Sequence, residues 1–161
     1  MSRTAGTMKR SVCLILGGLL MCLLFTGCGK KARITSLESL SYRFTDNMSR
    51  YGAGSLEIVR KNGAYRATVK LVDEPDESAK TVPLSPEKVL AIEELLKKYD
   101  VGSWNGFDKN NKNVLDGRSF TFSVKMTEEQ EIYARGYMKW PKNYSEVAGA
   151  LQALMRELAG K

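Results

Sequence analysis

Asp108 with Asp116, and Ser119 with Lys125, are the pairings through which this chain could run acid–base or nucleophilic chemistry, because it contains no histidine. Without imidazole it lacks the commonest general base, the usual metal ligand and the side chain that titrates near neutrality. Any chain rich in charge offers pairs of this kind. No glycine-rich phosphate loop, no G-x-S-x-G elbow and no cluster with metal-ligand spacing accompanies them. Two stretches invite a calcium reading. The first is Asp73-Glu74-Pro75-Asp76-Glu77-Ser78, and the second is Asp108, Asn110 and Asn113. The first lacks the spacing and glycine of a calcium loop, and in the second Lys112 falls where a ligand is wanted and no bidentate glutamate follows at the right distance. The expectation is therefore no catalytic residue, no metal and no cofactor.

Recognition chemistry has better material. Val101 to Arg118, VGSWNGFDKNNKNVLDGR, is the least regular part of the chain. Trp104, Phe107, Asp116 and Arg118, with Trp140 further on, form the candidate interaction set, since aromatics and arginine dominate binding hot spots. Three readings stand for this loop. The aromatics form an exposed platform, or they tuck under a sheet as anchors with Asn105-Gly106 and Asp116-Gly117 as turns, or the polar run holds a cation. A pattern of W-N-G-F, then D-G before a strand, then a later proline resembles small bacterial lipoproteins of uncharacterised function. That resemblance implies no activity.

The elements that must position these residues follow from periodicity. Leu40, Tyr42 and Phe44 alternate with polar residues, as a half-buried strand does. Ser55–Arg60 and Tyr65–Val72 flank Asn62-Gly63, a type I′ turn pair that sets Ile58 opposite Ala67 and Leu56 opposite Val69. Phe120, Phe122, Val124 and Met126 mark another strand, and Ile132, Ala134, Gly136 and Met138 mark its return. Gly136 suggests a bulge or a close backbone approach. Tyr133, Arg135 and Tyr137 fall on the outer face, as an aromatic-basic stripe or as strand formers partly covered by a neighbour. Ser85-Pro86-Glu87 opens a helix ending near Asp100. Asn143 with Glu146 reads as a capping box for a second helix, whose apolar stripe is Val147, Ala150, Leu151, Leu154 and Leu158. The order β-β-β-α-β-β-α has no β-α-β alternation. The expected fold is α+β: an antiparallel sheet of about five strands, two hairpins plus one strand, with two helices on one face.

The N-terminal stretch places the domain. Val12–Phe25 is an uncharged apolar run of 14 residues after Arg3, Lys9 and Arg10. A spanning helix needs about 20 apolar residues, so the run reads as a secretory leader. Met8 offers a second start, since MKRSVC already carries positive charge. Leu24-Phe25-Thr26-Gly27-Cys28 resembles the lipobox of bacterial lipoproteins, with Phe25 in place of the usual leucine. The resemblance implies cleavage before Cys28 and a lipid on its thiol. The expected organisation is then a signal peptide over 1–27, a lipidated tether over 28–35 and one α+β domain over 36–161.

Cys13 and Cys22 fall in the leader, so the folded part has no cysteine left for a disulfide or a thiolate metal site. The leader also holds three of the 25 Lys and Arg, leaving 22 against 18 Asp and Glu in the mature part. That modest surplus and export both argue against nucleic acid as a partner. Lys30, Lys31 and Arg33 stand in the tether, where they either meet anionic head groups or are merely solvated. The expected function is a non-catalytic binding or interaction module. It is held by its lipid on the outer side of a cell membrane or on an outer membrane, and its partner is an envelope protein or a small ligand. The alternatives are a carboxylate-dependent cell-wall hydrolase using Asp108 and Asp116, and an envelope assembly or scaffold subunit.

Overall fold

Asn62 and Gly63, both at positive φ (51° and 81°), close the turn from which the sheet registers. Strands β2 (Ala53–Lys61) and β3 (Ala64–Lys70) pair antiparallel with Ile58 opposite Ala67 and Leu56 opposite Val69, the register that the turn and the apolar pattern jointly require. The computed structural model describes residues 31–46, 52–72 and 74–161. The leader, Cys28 and Asp73 lie outside the described residues.

Among these residues one sheet of seven strands forms, in the order β4-β3-β2-β1-β6-β7-β5. The remaining strands are β1 (Leu37–Thr45), β4 (Lys80–Leu84), β5 (Phe107–Asn110), β6 (Ser119–Met126) and β7 (Glu131–Tyr137). Helices α1 (Pro86–Lys98) and α2 (Tyr144–Ala159) share one core with the inner face of the sheet. The α+β class matches expectation, but the sheet differs in two respects. It has two more strands than the sequence suggests, and β5 runs parallel to β7, so the sheet is mixed. Both additional strands are short edges. β4 carries Pro83 opposite Arg66, and β5 reads Phe-Asp-Lys-Asn with three exposed residues, so neither shows the alternation of a half-buried strand.

The core is aromatic at one end. Trp104 is 1% exposed. Its ring meets Phe122 edge-on at 5.3 Å and Phe120 at 6.4 Å, and its indole N–H donates to the Lys142 carbonyl at 2.9 Å. Gly136 faces Phe120 across the β6–β7 pair. A Cβ there would stand 2.1 Å from the Lys139 carbonyl oxygen and 2.6 Å from Phe120, so the glycine marks a close approach.

Helix α1 starts as its sequence indicates, with the Ser85 hydroxyl accepting from the Lys88 amide and Pro86 in the first turn. Helix α2 does not. Asn143 sits at positive φ with no side-chain cap, because its amide group donates instead to the Tyr99 carbonyl at 3.1 Å. The residue ties the two helices together rather than capping one.

Two buried polar groups lock elements to the sheet. Glu93 of α1, 8% exposed, accepts from the Leu37 amide at 2.7 Å at the register shift that opens β1. Glu93→Ala is expected to cost about 1–3 kcal/mol, because it strands a buried amide, while Glu93→Gln keeps an acceptor and most of the stability. Urea denaturation of the two variants checks this. Lys70, on the outer face of β3, reaches the Ala53 carbonyl at 2.8 Å and Asp76 at 2.7 Å. The Lys70 hydrogen bond and charge hold the Asp76 carboxyl below its ordinary range. A depressed carboxyl stabilises the fold above its unfolded pKa and loses that contribution as pH falls through the folded one. Asp76→Asn should therefore lower the melting temperature slightly at pH 7 and not at pH 2, because the carboxylate is exposed and screened.

Candidate functional site

Strands β1 and β6 end side by side, and the gap between their ends and helix α2 is a cavity of about 340 Å³. Thr45 and Ser119 face each other across the pair, hydroxyl to hydroxyl at 2.6 Å. Just beyond them the Arg118 guanidinium stands 3.7 Å from the Asp46 carboxylate. The wall is aromatic. Trp140 leaves the sheet where β7 ends, and Pro141, buried behind it, turns the chain into α2. The indole stacks on Tyr144 at 4.7 Å and 21°, and both rings rest on Phe120. Trp140 remains 39% exposed. It is a flat apolar face, held on one side and open on the other.

Behind this wall a small polar network closes the cavity. The Tyr42 and Tyr144 hydroxyls lie 3.1 Å apart, and the Gln152 amide donates to Tyr42 at 3.4 Å. Burial raises both phenols above their ordinary value, for Tyr144 strongly, with the neighbouring Tyr42 adding to the effect. They are neutral hydrogen-bonding groups at any physiological pH, and neither acts as a base. A second cavity of about 150 Å³ shares Phe44, Val72 and Gln152 with the first and continues between Leu71 and Met155 toward Arg156. Together they make one cleft with a polar-aromatic chamber and an apolar one.

Of the candidate residues, Arg118 and Trp140 meet at this cleft. Trp104 does not. It is buried beneath Tyr144 as a loop anchor, which removes it from any exposed platform. Phe107 is half-buried on β5, with its ring 6.3 Å from Phe120. Asp116 is exposed in the turn after Leu115, away from the cleft lining. That turn is built from its own side chains. Asn111 accepts from the Asn113 amide, and the Tyr137 hydroxyl donates to the Leu115 carbonyl.

Asp108 is bound bidentately by Arg135, at 2.8 and 2.7 Å on the outer sheet face. The Arg135 hydrogen bonds and charge hold it below the usual carboxylate range. Ser119 and Lys125 lie six residues apart on one strand, about 20 Å at a strand's rise, too far to share a proton. Asp46 is the single carboxylate among the described residues that line the larger chamber. A wider depression of about 410 Å³ lies at the opposite end of the sheet, around the β6–β7 turn. It brings together Glu38, Glu129 and Glu131 without an aromatic surface. Among the described residues no group of three or more His, Cys, Asp or Glu side chains is placed to hold a metal ion.

Sequence reasoning missed Phe44, Tyr144 and Gln152. Tyr144 had a signal in its spacing four residues after Trp140, which brings it round to the same side of the turn. Gln152 had one as an amide next to the buried stripe of α2. No protein-family model matches the chain, and no curated protein matches it.

Where the chain enters the domain bears on how the cleft is presented. Residues 31–33, expected to belong to the tether, are seated on the domain. The Ala32 amide donates to the Gly102 carbonyl at 3.1 Å, the Arg33 amide to the Gln130 side chain at 2.7 Å, and Lys31 pairs with Asp100 at 2.8 Å. This entry lies at the β6–β7 turn, where Thr127 donates to Ser36. The cleft lies at the other end of β1, nine residues or about 27 Å away. Among the described residues no helix is long and apolar enough to cross a membrane.

Proposed function

We propose that this protein is a lipid-anchored, non-catalytic binding module of the bacterial cell envelope, and that the Trp140–Arg118 cleft is its binding site. The observation that carries the reading is the convergence of a rigid, part-exposed indole and a guanidinium on one open cavity at the end of the sheet. Small-molecule sites are concave and mostly apolar, with a few placed polar groups, and about 300 Å³ is the lower end of their range. The leader supplies the anchor. With the lipid on Cys28, two residues separate the modified cysteine from the seated Lys31, three steps along the chain and a reach of about 10–11 Å. The anchored end of the domain is then held against the bilayer and the cleft is turned away from it.

Crosslinking on intact membranes tests the reading, with wild type compared with Trp140→Ala. The expected result is that a specific adduct disappears in the variant while the protein stays in the membrane fraction. An identical adduct pattern overturns the site. A Cys28→Ser variant that remains lipid-labelled and membrane-bound overturns the anchor.

A further inference from the structure

We infer that the cleft takes a neutral saccharide bearing an acetamido group, with the sugar ring stacked on Trp140. The inference rests on the binding-site reading above and names the ligand class for that site. Four features of the cleft select this chemistry. The first is the indole face, stacked on Tyr144 and backed by Phe120, so that its orientation is fixed before any ligand arrives. A pyranose presents axial C–H bonds on one face, apolar and weakly positive, which match the negative face of an aromatic ring. A rigid platform also avoids the entropy cost of ordering a loose side chain.

The second feature is the opposite rim. Thr45, Asp46, Arg118 and Ser119 offer short hydroxyls and planar charged groups, and these serve as both donors and acceptors. Ring hydroxyls need both. Third, the two charged residues of the larger chamber face each other, since Arg118 stands against Asp46. An anionic ligand would find its cation already engaged, and a cationic one its carboxylate. The fourth feature is the apolar chamber next door. Phe44, Leu71, Val72 and Met155 line about 150 Å³, with Gln152 and Arg156 as its polar residues. An acetamido group has this composition, with a methyl for the apolar wall and an amide for the polar residues beside it. Because the cleft lies at the far end of the sheet from the chain's entry, its ligand comes from beyond the membrane surface rather than from head groups in it.

Two soluble probes with the same β-1,4-linked backbone separate the parts of this inference: chitotetraose carries acetamido groups and cellotetraose does not. Each is titrated into the purified full chain in detergent by isothermal titration calorimetry. Chitotetraose is expected to bind about tenfold more tightly than cellotetraose, the discrimination that one small apolar group supplies in a fitted pocket. Trp140→Ala should abolish binding of both sugars with its thermal transition still cooperative. Val72→Thr, which keeps the shape and adds a hydroxyl, should narrow the difference between them. Equal affinities overturn the acetamido seat, and undiminished binding by Trp140→Ala overturns the stacking site. If neither sugar binds at millimolar concentration but Trp140→Ala still removes a crosslinked adduct, the saccharide class is overturned and the binding site stands. If the adduct persists as well, both readings fall.

Discussion

Substituting alanine for Trp104 is expected to lower the unfolding free energy by about 3–5 kcal/mol, the cost of removing a large buried aromatic whose cavity cannot fully collapse. The indole lies against Phe120, Phe122 and Tyr144, and it joins the turn before β5 to the segment entering α2 through its bond to Lys142. The loss should show as a lower urea midpoint. Trp104→Phe isolates the hydrogen bond, because it keeps most of the packing, and about 1 kcal/mol of its cost belongs to the lost donor. If Trp104→Ala costs less than 1 kcal/mol, the anchor role is wrong. The size of the effect also matters for experiments on function. A partner lost from Trp104→Ala would report a loosened core, whereas Trp140 can be changed at the surface.

Gly102→Ala is the second large effect expected. Gly102 is buried, and a Cβ there would stand 2.0 Å from the Ala32 carbonyl oxygen. Backbone is the obstacle, so no side-chain rotation relieves it. The variant should release residues 31–33, breaking the Ala32–Gly102 bond and the Lys31–Asp100 pair, at a cost of about 1–3 kcal/mol. Hydrogen exchange at the Ala32 amide should rise to the unprotected rate. The control is a chain shortened to begin after Arg33, in which the same substitution should be nearly neutral, because the two changes remove one interaction. An equal cost in both backgrounds would place the strain elsewhere.

How much of this was legible in the sequence depended on whether one local signal decided the structure. Asn62-Gly63 fixes a turn, a register and a buried face at once, so the β2–β3 hairpin could be read residue by residue. Ser85-Pro86 did the same for the start of α1. The edges could not be read that way. Phe107–Asn110 is a strand because β7 offers a free row of backbone groups beside it, not because of its own composition. Asn143 had the spacing of a cap, but tertiary contact drew its side chain to Tyr99. Within the candidate set, Arg118 and Trp140 reach one cleft for a reason outside their own stretch. The pairing of β1 with β6 brings Asp46 to Arg118, and the turn at Pro141 leaves Trp140 on the same cavity. Trp104 has the same side chain as Trp140 and the opposite exposure, and that difference is set by neighbours far away in sequence.

The two outermost strands have a consequence for crowding. Molecules confined to a surface meet one another far more often than in solution, and an open sheet edge under those conditions invites end-to-end polymerisation. β4 is five residues long with Pro83 near its end, and β5 is four residues long with Asp108 and Lys109 exposed at its centre. Neither offers a partner strand a long uncharged row to pair with. Under the proposed lipid anchoring, crowded copies of this chain would find no such row at either edge of the sheet.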